Sequence, residues 1–320
     1  MTTAEALSAE VLSSHYCLET VDRVARQPAV AAFKRRARLQ QALWREERGI
    51  PIGSQPMRPK EGQKSRPLGS RIDLGYALET GANFLSDSAR ECARRRVAHP
   101  EPHQTLDVDR LYSDLLSSMP MCFNLFGELA ADLDLADEAV HAWWPDVPGR
   151  VSAVRFEWSP GRRLAGEYLE NRSAFDVAFE LDLGRGRLGV LGVETKYHED
   201  CRREKPPSDY RRTRYEYVSR SRGVLSRDRI YDILGTDLQQ IWLDHLLAES
   251  MLLHESKRWT WAGFVLVHPG RNPSYAAATD RYRRLLETGA DIRVNTLEEL
   301  LEADVLPDVM AAEFAKRYLW

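Results

Sequence analysis

The chain has 320 residues, with 45 lysines and arginines against 48 aspartates and glutamates and a formal net charge of −3. Apolar residues make up 43% and charged residues 29%, an ordinary globular composition that excludes a disordered tail, a collagen-like chain and a membrane bundle. The near-neutral balance also excludes a protein that holds nucleic acid through bulk positive charge alone.

The N-terminal segment and the cysteines indicate the compartment. The opening sequence, MTTAEALSAEVLSSHYCLE, has neither a basic n-region nor an apolar h-region, which predicts no signal peptide. No stretch reaches the roughly 18 consecutive apolar residues that a membrane span needs. The four cysteines lie far apart without a CxxC pattern, which argues against a disulfide framework or a structural zinc site. The sequence therefore predicts a cytoplasmic protein with no membrane partner.

Charge is arranged in blocks along the chain. The local net charge is +7 over residues 33–66, −8 over 104–148, +6 over 201–230 and −5 over 286–320. Such asymmetry indicates an anionic partner that binds the basic blocks, the alternative being solvated helical faces. Arginines outnumber lysines 38 to seven. The arginine fork fits phosphate, although a GC-rich genome would produce the same bias.

The first part of the chain is predicted to be helical. Apolar residues recur at three and four positions and predict helices over 5–48, 71–99 and 106–139. The intervening stretch 49–69 is rich in Gly, Pro, Ser and Lys, which predicts a basic loop rather than a packed element. We place a boundary after residue 105, between an N-terminal helical region (1–105) and a second domain (106–320).

The pattern changes to β-structure after Pro148. Strands are predicted over 150–158, 173–183, 188–197 and 259–268, and helices over 228–254, 274–288 and 296–319. The GxGxxG match at 184–189 joins two β-like runs. A nucleotide-binding version must instead open a helix, so this one predicts a hairpin turn.

This hairpin holds the residues that could carry chemistry. Glu194 and Lys196 are two apart on one strand and so share a face. The apolar run before them indicates a buried strand, where both are costly unless paired or bound to metal. Asp176 lies across the hairpin, so two carboxylates that suit Mg²⁺ or Mn²⁺ converge with an ammonium that can orient water. The alternatives are a simple Glu194–Lys196 ion pair and a solvated Asp176.

The arrangement of Asp176, a hairpin and then Glu194-Thr195-Lys196 resembles the D…(D/E)xK signature of the PD-(D/E)XK, or restriction-endonuclease-like, nuclease superfamily. Further segments resemble one bacterial branch of restriction endonucleases: 117–129, 155–162, 173–181, 192–199 and 238–248, with a weaker match at 83–85. The resemblance implies an α/β fold with a mixed central sheet flanked by helices, here with an N-terminal helical extension.

The resemblance also implies roles for individual residues. Asp176 and Glu194 would hold Mg²⁺ or Mn²⁺, and Lys196 would be the catalytic lysine. Many members add a carboxylate from a preceding helix or strand, for which Glu128 and Glu157 are the candidates. Glu157 is favoured because it lies on the adjoining strand. For both glutamates a surface or capping role is the alternative.

One further candidate lies on a predicted helix. Gln240 resembles the glutamine that exonuclease-like members place beside the site, with an amphipathic-helix polar position as the alternative. The aromatic residue that those members carry four positions later is replaced by Asp244, and Phe175 replaces the proline before the first aspartate. His198 and His245 are left outside the catalytic set, since a lone histidine is more often structural.

The resulting hypothesis is a metal-dependent nuclease that hydrolyses phosphodiester bonds, with DNA favoured over RNA and a role in restriction, phage defence or repair. Arginines interleaved with Tyr210, Tyr215 and Tyr217 suit phosphate contacts and base stacking. The alternatives are an RNA-directed nuclease and a catalytically inactive nuclease-fold module that binds nucleic acid or protein. Cutting both strands usually needs two sites, which is compatible with a homodimer. No methyltransferase or ATPase signature is present.

Overall fold

The structure is a computed structural model that describes residues 7–17, 27–104 and 106–320. Its helices are α1 (Ala9–Ser14), α2 (Pro28–Glu47), α3 (Leu74–Thr80), α4 (Asp87–Ala98), α5 (Val108–Ser113), α6 (Ser118–Ala131), α7 (Leu133–Trp143), α8 (Asp209–Ser221), α9 (Arg227–Ile233), α10 (Gln239–Leu252), α11 (Pro273–Leu285), α12 (Leu297–Glu302) and α13 (Asp308–Tyr318). Its strands are β1 (Ile52–Gln55), β2 (Arg66–Ile72), β3 (Arg150–Trp158), β4 (Phe175–Asp182), β5 (Leu188–Thr195), β6 (Trp259–His268) and β7 (Arg293–Thr296).

Five strands form a mixed central sheet in the order β3-β4-β5-β6-β7. The first three form an antiparallel meander, while β6 pairs parallel to β5 and β7 pairs parallel to β6. Parallel neighbours need a crossover, which α8, α9 and α10 supply between β5 and β6. The mixed sheet flanked by helices that the resemblance implied is thus confirmed.

Helices cover both faces of this sheet. Val177, Phe179 and Leu181 of β4 pack with side chains of α6 and α7 in one buried cluster. Ala178 and Val190 face the opposite way and pack with side chains of α8 to α11 in a second cluster. Burial on both faces explains why β5 reads as an unbroken apolar run. It also explains the burial of Trp242, Leu246 and Leu247 on α10.

The GxGxxG match is a hairpin turn between β4 and β5, as the sequence predicts. Gly184, Arg185 and Gly186 all have positive φ angles, the conformation that a tight two-strand connection requires. Leu183 N donates to Arg187 O and closes the turn. No helix follows it, so the turn lacks the geometry of a phosphate-binding loop.

The prediction of an unpacked loop over 49–69 is wrong at both of its ends. Strands β1 and β2 form a separate antiparallel hairpin, and Arg45 of α2 donates to the carbonyl oxygen of Gly69. A Cβ atom at Gly69 would lie 2.0 Å from the carbonyl oxygen of His15, so glycine permits this close packing. Two of the glycines that suggested a loop, Gly53 and Gly69, therefore permit close backbone packing here. Only residues 56–65 form an exposed connection.

Two elements had too little apolar periodicity to be predicted. Helix α8 buries only Tyr215, Val218 and Ser219, and β7 is four half-buried residues long. The division after residue 105 stays a prediction. One buried cluster nevertheless contains Ala37 and Trp44 of α2 together with side chains of α6 and β4.

Two predictions concern features that the structure addresses directly. The four cysteines, all of which lie in the described part of the chain, form no disulfide bond. Within the described ranges, no helix combines the length and the apolar character that crossing a membrane requires.

Candidate active site

Three carboxylates lie side by side on three adjacent strands. The register between β3 and β4 places Glu157 opposite Asp176. Continuing the register between β4 and β5 by one residue places Asp176 beside Glu194. Glu157, Asp176 and Glu194 therefore form a row across the sheet, which we call the acidic row. They lie near the end of β3, the start of β4 and the end of β5, respectively. All three are carboxylates that the sequence offers as candidate metal ligands, and the pairing of the strands brings them together.

The carboxylate of Asp176 is held by the middle residue of the Glu194-Thr195-Lys196 motif. The backbone nitrogen of Thr195 donates to Asp176 Oδ2 at 2.8 Å, and the Thr195 hydroxyl donates to the same oxygen at 2.7 Å. These two bonds fix the orientation of Asp176 and tie the start of β4 to the end of β5. Thr195 could not be singled out from the sequence, because its position in the motif is read as variable.

Lys196 and Gln240 both bind Glu194. The distance from Lys196 Nζ to Glu194 Oε1 is 2.6 Å, and Gln240 Nε2 donates to the same oxygen at 3.2 Å. Glu194 is 7% exposed and Lys196 is 8% exposed. The same-face ion pair that sequence analysis kept as an alternative is thus present. This ion pair is buried, however, and the carboxylates of Asp176 and Glu157 lie next to it.

The electrostatics of this row show an excess of negative charge. Burial, and then the charge of Asp176, raise the pKa of Glu194 to about 7. Burial also raises the pKa of Asp176, although Lys196 and the bonds from Thr195 oppose this shift. Burial lowers the pKa of Lys196, but the charges around it, Glu194 first among them, together outweigh burial and raise the pKa well above its ordinary value. One ammonium therefore faces three carboxylates that it cannot neutralise together.

Glu157 joins the row from a strained backbone position. Its φ angle is +49°, a left-handed conformation that costs a non-glycine residue about 1–3 kcal/mol. Its carbonyl oxygen accepts bonds from the guanidinium groups of Arg96 at 2.9 Å and Arg162 at 2.6 Å, which hold this conformation. Burial, followed by the charges of Asp176 and Glu194, raises the pKa of Glu157 to about 8. Its carboxyl group therefore belongs to the same electrostatic cluster.

Glu128 does not join the row. Its Oε2 accepts a bond from Ser88 of α4 at 3.0 Å, which joins α6 to α4. On the same helix, the charges of Asp176, Glu157 and Glu194 reach Cys122. Glu128 lies six residues beyond Cys122, about 9 Å along the axis and about 120° around it. Of the two extra carboxylates that the sequence offers, the structure brings only Glu157 to Asp176 and Glu194.

Glu199 holds the segment that follows Lys196. Its Oε1 accepts bonds from Arg110 at 3.0 Å and from the backbone nitrogen of Ser118 at 3.2 Å, at the N-terminus of α6. Its Oε2 accepts from the backbone nitrogen of Tyr197 at 2.9 Å. The loop after β5 is thereby fastened to α5 and α6. The sequence signal for this role was only that Glu199 ends one of the segments resembling the nuclease branch.

A cavity of about 570 Å³ adjoins this row. Its lining includes Lys196 and Gln240, which both bind Glu194, and Lys34 and Arg38 of α2. Among the described residues that line it, four are acidic and six are basic: Lys34, Arg38, Arg71, Arg110, Lys196 and Arg202. Both basic blocks of the sequence contribute. Asp114, from the acidic block 104–148, also lines this cavity.

The donor chemistry of the row fits a hard divalent cation. The donors are carboxylate oxygens, the ligands that Mg²⁺ and Mn²⁺ prefer. Burial, followed by repulsion between neighbouring carboxylates, raises the pKa values of Glu157 and Glu194, and a bound cation would favour their ionised forms. In the part of the chain that the structure describes, no three His, Cys, Asp or Glu side chains are already spaced to hold a metal ion. Binding therefore requires the carboxylates to move towards a common centre.

Comparison with known proteins identifies the family. No curated protein and no solved structure matches the chain. A sequence model described as the PD-(D/E)XK nuclease superfamily matches residues 28–320, which include α2, the whole central sheet and the acidic row. The α/β fold with its mixed sheet and N-terminal helix agrees with the restriction-endonuclease-like architecture of that superfamily. The chain therefore belongs to the PD-(D/E)XK nuclease superfamily.

Proposed function

We propose that this chain is a metal-dependent nuclease that hydrolyses phosphodiester bonds of DNA. The observation that carries the proposal is the row of Glu157, Asp176 and Glu194, with Lys196 on the wall of a cavity that basic residues line. Glu194 is buried and the other two are half-buried, and several carboxylates so placed beside one lysine are costly for a purely structural element. The same groups are useful when a divalent cation and a phosphate share the site.

In this proposal each residue has a defined role. Asp176 and Glu194 hold Mg²⁺ or Mn²⁺ with Glu157 as the additional carboxylate, and the bound cation would polarise the phosphate and acidify a water. Lys196, on the cavity wall, donates a hydrogen bond to the attacking water or to a phosphate oxygen and stabilises the developing charge. Gln240 positions Glu194 through its amide.

Exposed aromatic and basic side chains support a nucleic-acid partner. Tyr210 and Tyr217 on α8 are 70% and 53% exposed and are available for stacking, whereas Tyr215 is buried in the core. The connection between β1 and β2 carries exposed Lys60 and Lys64, and strands of the same hairpin line the cavity. We infer that the nucleic acid backbone runs from the cavity along this hairpin.

An inactive nucleic-acid-binding module is the second candidate. One observation favours it: Glu194 Oε1 is already bound by Lys196 and Gln240. If that ion pair never opens, the fold can bind a phosphate backbone without cutting it. The two candidates differ in their response to metal. A nuclease gains thermal stability with Mg²⁺ or Mn²⁺ and cleaves, whereas an inactive module does neither.

The decisive experiment uses labelled single- and double-stranded DNA and RNA, each incubated with Mg²⁺, Mn²⁺ or EDTA. Cleavage of DNA that needs metal and disappears in Lys196→Ala is expected, with DNA binding by that variant retained. Gln40→Ala is a matched control, because Gln40 is on α2 and donates only to the carbonyl oxygen of Lys316. Wild-type cleavage by purified Lys196→Ala would refute the assignment.

Two further proposals follow from the nuclease activity. Preference for DNA over RNA is read directly from the same substrate panel. A role in restriction, phage defence or repair predicts that the Lys196→Ala gene fails to protect cells against phage or DNA damage where the wild-type gene protects. A homodimer would place two sites on one duplex, which light scattering with and without a DNA duplex tests.

A further inference from the structure

Asp244 faces the acidic row from the helix side of the site. It lies on α10, one turn after Gln240, and residues four apart on a helix share a face. Because Gln240 reaches Glu194 from that face, Asp244 is directed to the same end of the sheet. Its charge interacts first with Glu194 and then with Lys196 and Asp176. The position that departs from the exonuclease-like pattern thus places a further carboxylate within electrostatic reach of Glu194 and Asp176.

The burial of Asp244 has no structural explanation among the described contacts. The side chain is 7% exposed, and no hydrogen bond or ion pair to its carboxylate occurs in the described part of the chain. Its neighbours Trp242, His245 and Leu246 are buried in the core, and His245 is satisfied by the hydroxyl of Tyr282. A buried acid without a partner is costly and needs a reason.

We propose that Asp244 is a further ligand for the divalent cation of this site, binding it from α10 while Asp176 and Glu194 bind it from the sheet. The inference rests on the proposed metal-dependent function and adds a residue to it. Four carboxylates against the ammonium of Lys196 leave three uncompensated negative charges when all are ionised. A hard divalent cation compensates most of that charge, and carboxylate oxygens are its preferred ligands.

A ligand role also explains why a carboxylate replaces the aromatic side chain at this position. The Asp244 carboxylate is largely buried and makes no hydrogen bond with the described residues. In this proposal Asp244 lowers the stability of the metal-free protein and tightens binding of the cation, a combination that is common at functional sites.

The test measures metal binding without reference to catalysis. Mn²⁺ and Mg²⁺ are titrated into the metal-free full-length protein by calorimetry, and the rise in Tm on adding each metal is recorded. Asp244→Asn is expected to weaken metal binding by at least about tenfold and to shrink the metal-induced rise in Tm. In EDTA its Tm should equal or exceed that of the wild type, because an unpaired buried acid has been removed.

The controls separate this inference from the proposed function. Asp232→Asn alters an exposed aspartate on α9 and should bind metal like the wild type. Asp176→Asn should weaken metal binding whether or not Asp244 is a ligand. Wild-type metal affinity in Asp244→Asn, with loss in Asp176→Asn, would overturn the role of Asp244 alone. Absence of metal binding by the wild type would overturn the proposed function itself. If Asp244→Asn does not fold, Asp244→Ser is measured in the same way.

Discussion

Glu157 offers a direct test of how the acidic row controls stability. Its pKa is raised from 4.5 to about 8 in the folded protein, first by burial and then by Asp176 and Glu194. The folded state therefore keeps a proton that the unfolded state releases. Its contribution to stability is complete below pH 4.5 and is lost as the pH rises to about 8. Glu157→Gln removes this titration while keeping the shape of the side chain.

The magnitude follows from the shift. A pKa change from 4.5 to about 8 corresponds to about 5 kcal/mol if Glu157 titrates alone. The shift is shared with Asp176 and Glu194, and part of the Glu157 side chain is exposed, so we expect about 2–3 kcal/mol. In EDTA, Glu157→Gln should thus be more stable than the wild type by that amount at pH 8.5. The two proteins should be nearly equal in stability at pH 5.

Urea unfolding at both pH values, with EDTA and with saturating Mg²⁺, measures these differences. In Mg²⁺ at pH 8.5 the advantage of Glu157→Gln should vanish or reverse, because the cation compensates the ionised wild-type carboxylate. Glu128→Gln is the matched control, since Glu128 lies outside the row, accepts a bond from Ser88, and should not change the response to Mg²⁺. If Glu157→Gln keeps the wild-type fall in stability between pH 5 and 8.5, the electrostatic reasoning for the row is wrong.

Two single substitutions and one triple substitution test separate parts of the structure. Thr195→Val removes the hydroxyl bond to Asp176 and should weaken Mn²⁺ binding about 10–100-fold in calorimetry, with the circular dichroism spectrum unchanged. Gly69→Ala places a methyl group against the carbonyl oxygen of His15 and should lower the free energy of unfolding by about 1–3 kcal/mol in urea titrations. Neutralising the exposed cations of the β1–β2 hairpin should lower the salt slope of DNA binding by about 2–3, as measured by fluorescence anisotropy; these are Lys60, Lys64 and Arg66. An unchanged slope, or an equal effect of neutralising the two arginines of the β4–β5 turn, would contradict this last expectation.

Strand patterns in the sequence were sufficient to predict the hairpin and the residues that it carries. Alternation in β4 and the apolar run in β5 are strong local signals, and the antiparallel pairing of consecutive strands follows from a short turn. Asp176, Glu194 and Lys196 could therefore be placed together before any contact was known. The same signals failed for 49–69, where Gly69 permits packing against a distant carbonyl that no local pattern reveals.

The choice between Glu128 and Glu157 depended on information that the sequence does not contain. Both glutamates lie in segments that resemble the nuclease branch, so local pattern could not separate them. The register between β3 and β4 decides for Glu157, and the Arg96 and Arg162 bonds that hold its backbone join residues far apart in sequence. Asp244 is a similar case, because an acid on an apolar helix looks like a solvated position until the helix is packed.

The sequence by itself determined the fold class, the family resemblance and the identity of the three motif residues, because each depends on short-range periodicity and on a spacing within one hairpin. Only the tertiary structure decided which acids join that motif, which face of α10 meets it and how α2 closes the cavity beside Lys196. Those outcomes depend on contacts between elements that are distant along the chain. Burial then sets the charge balance of the site, and burial is a property of the packed molecule alone.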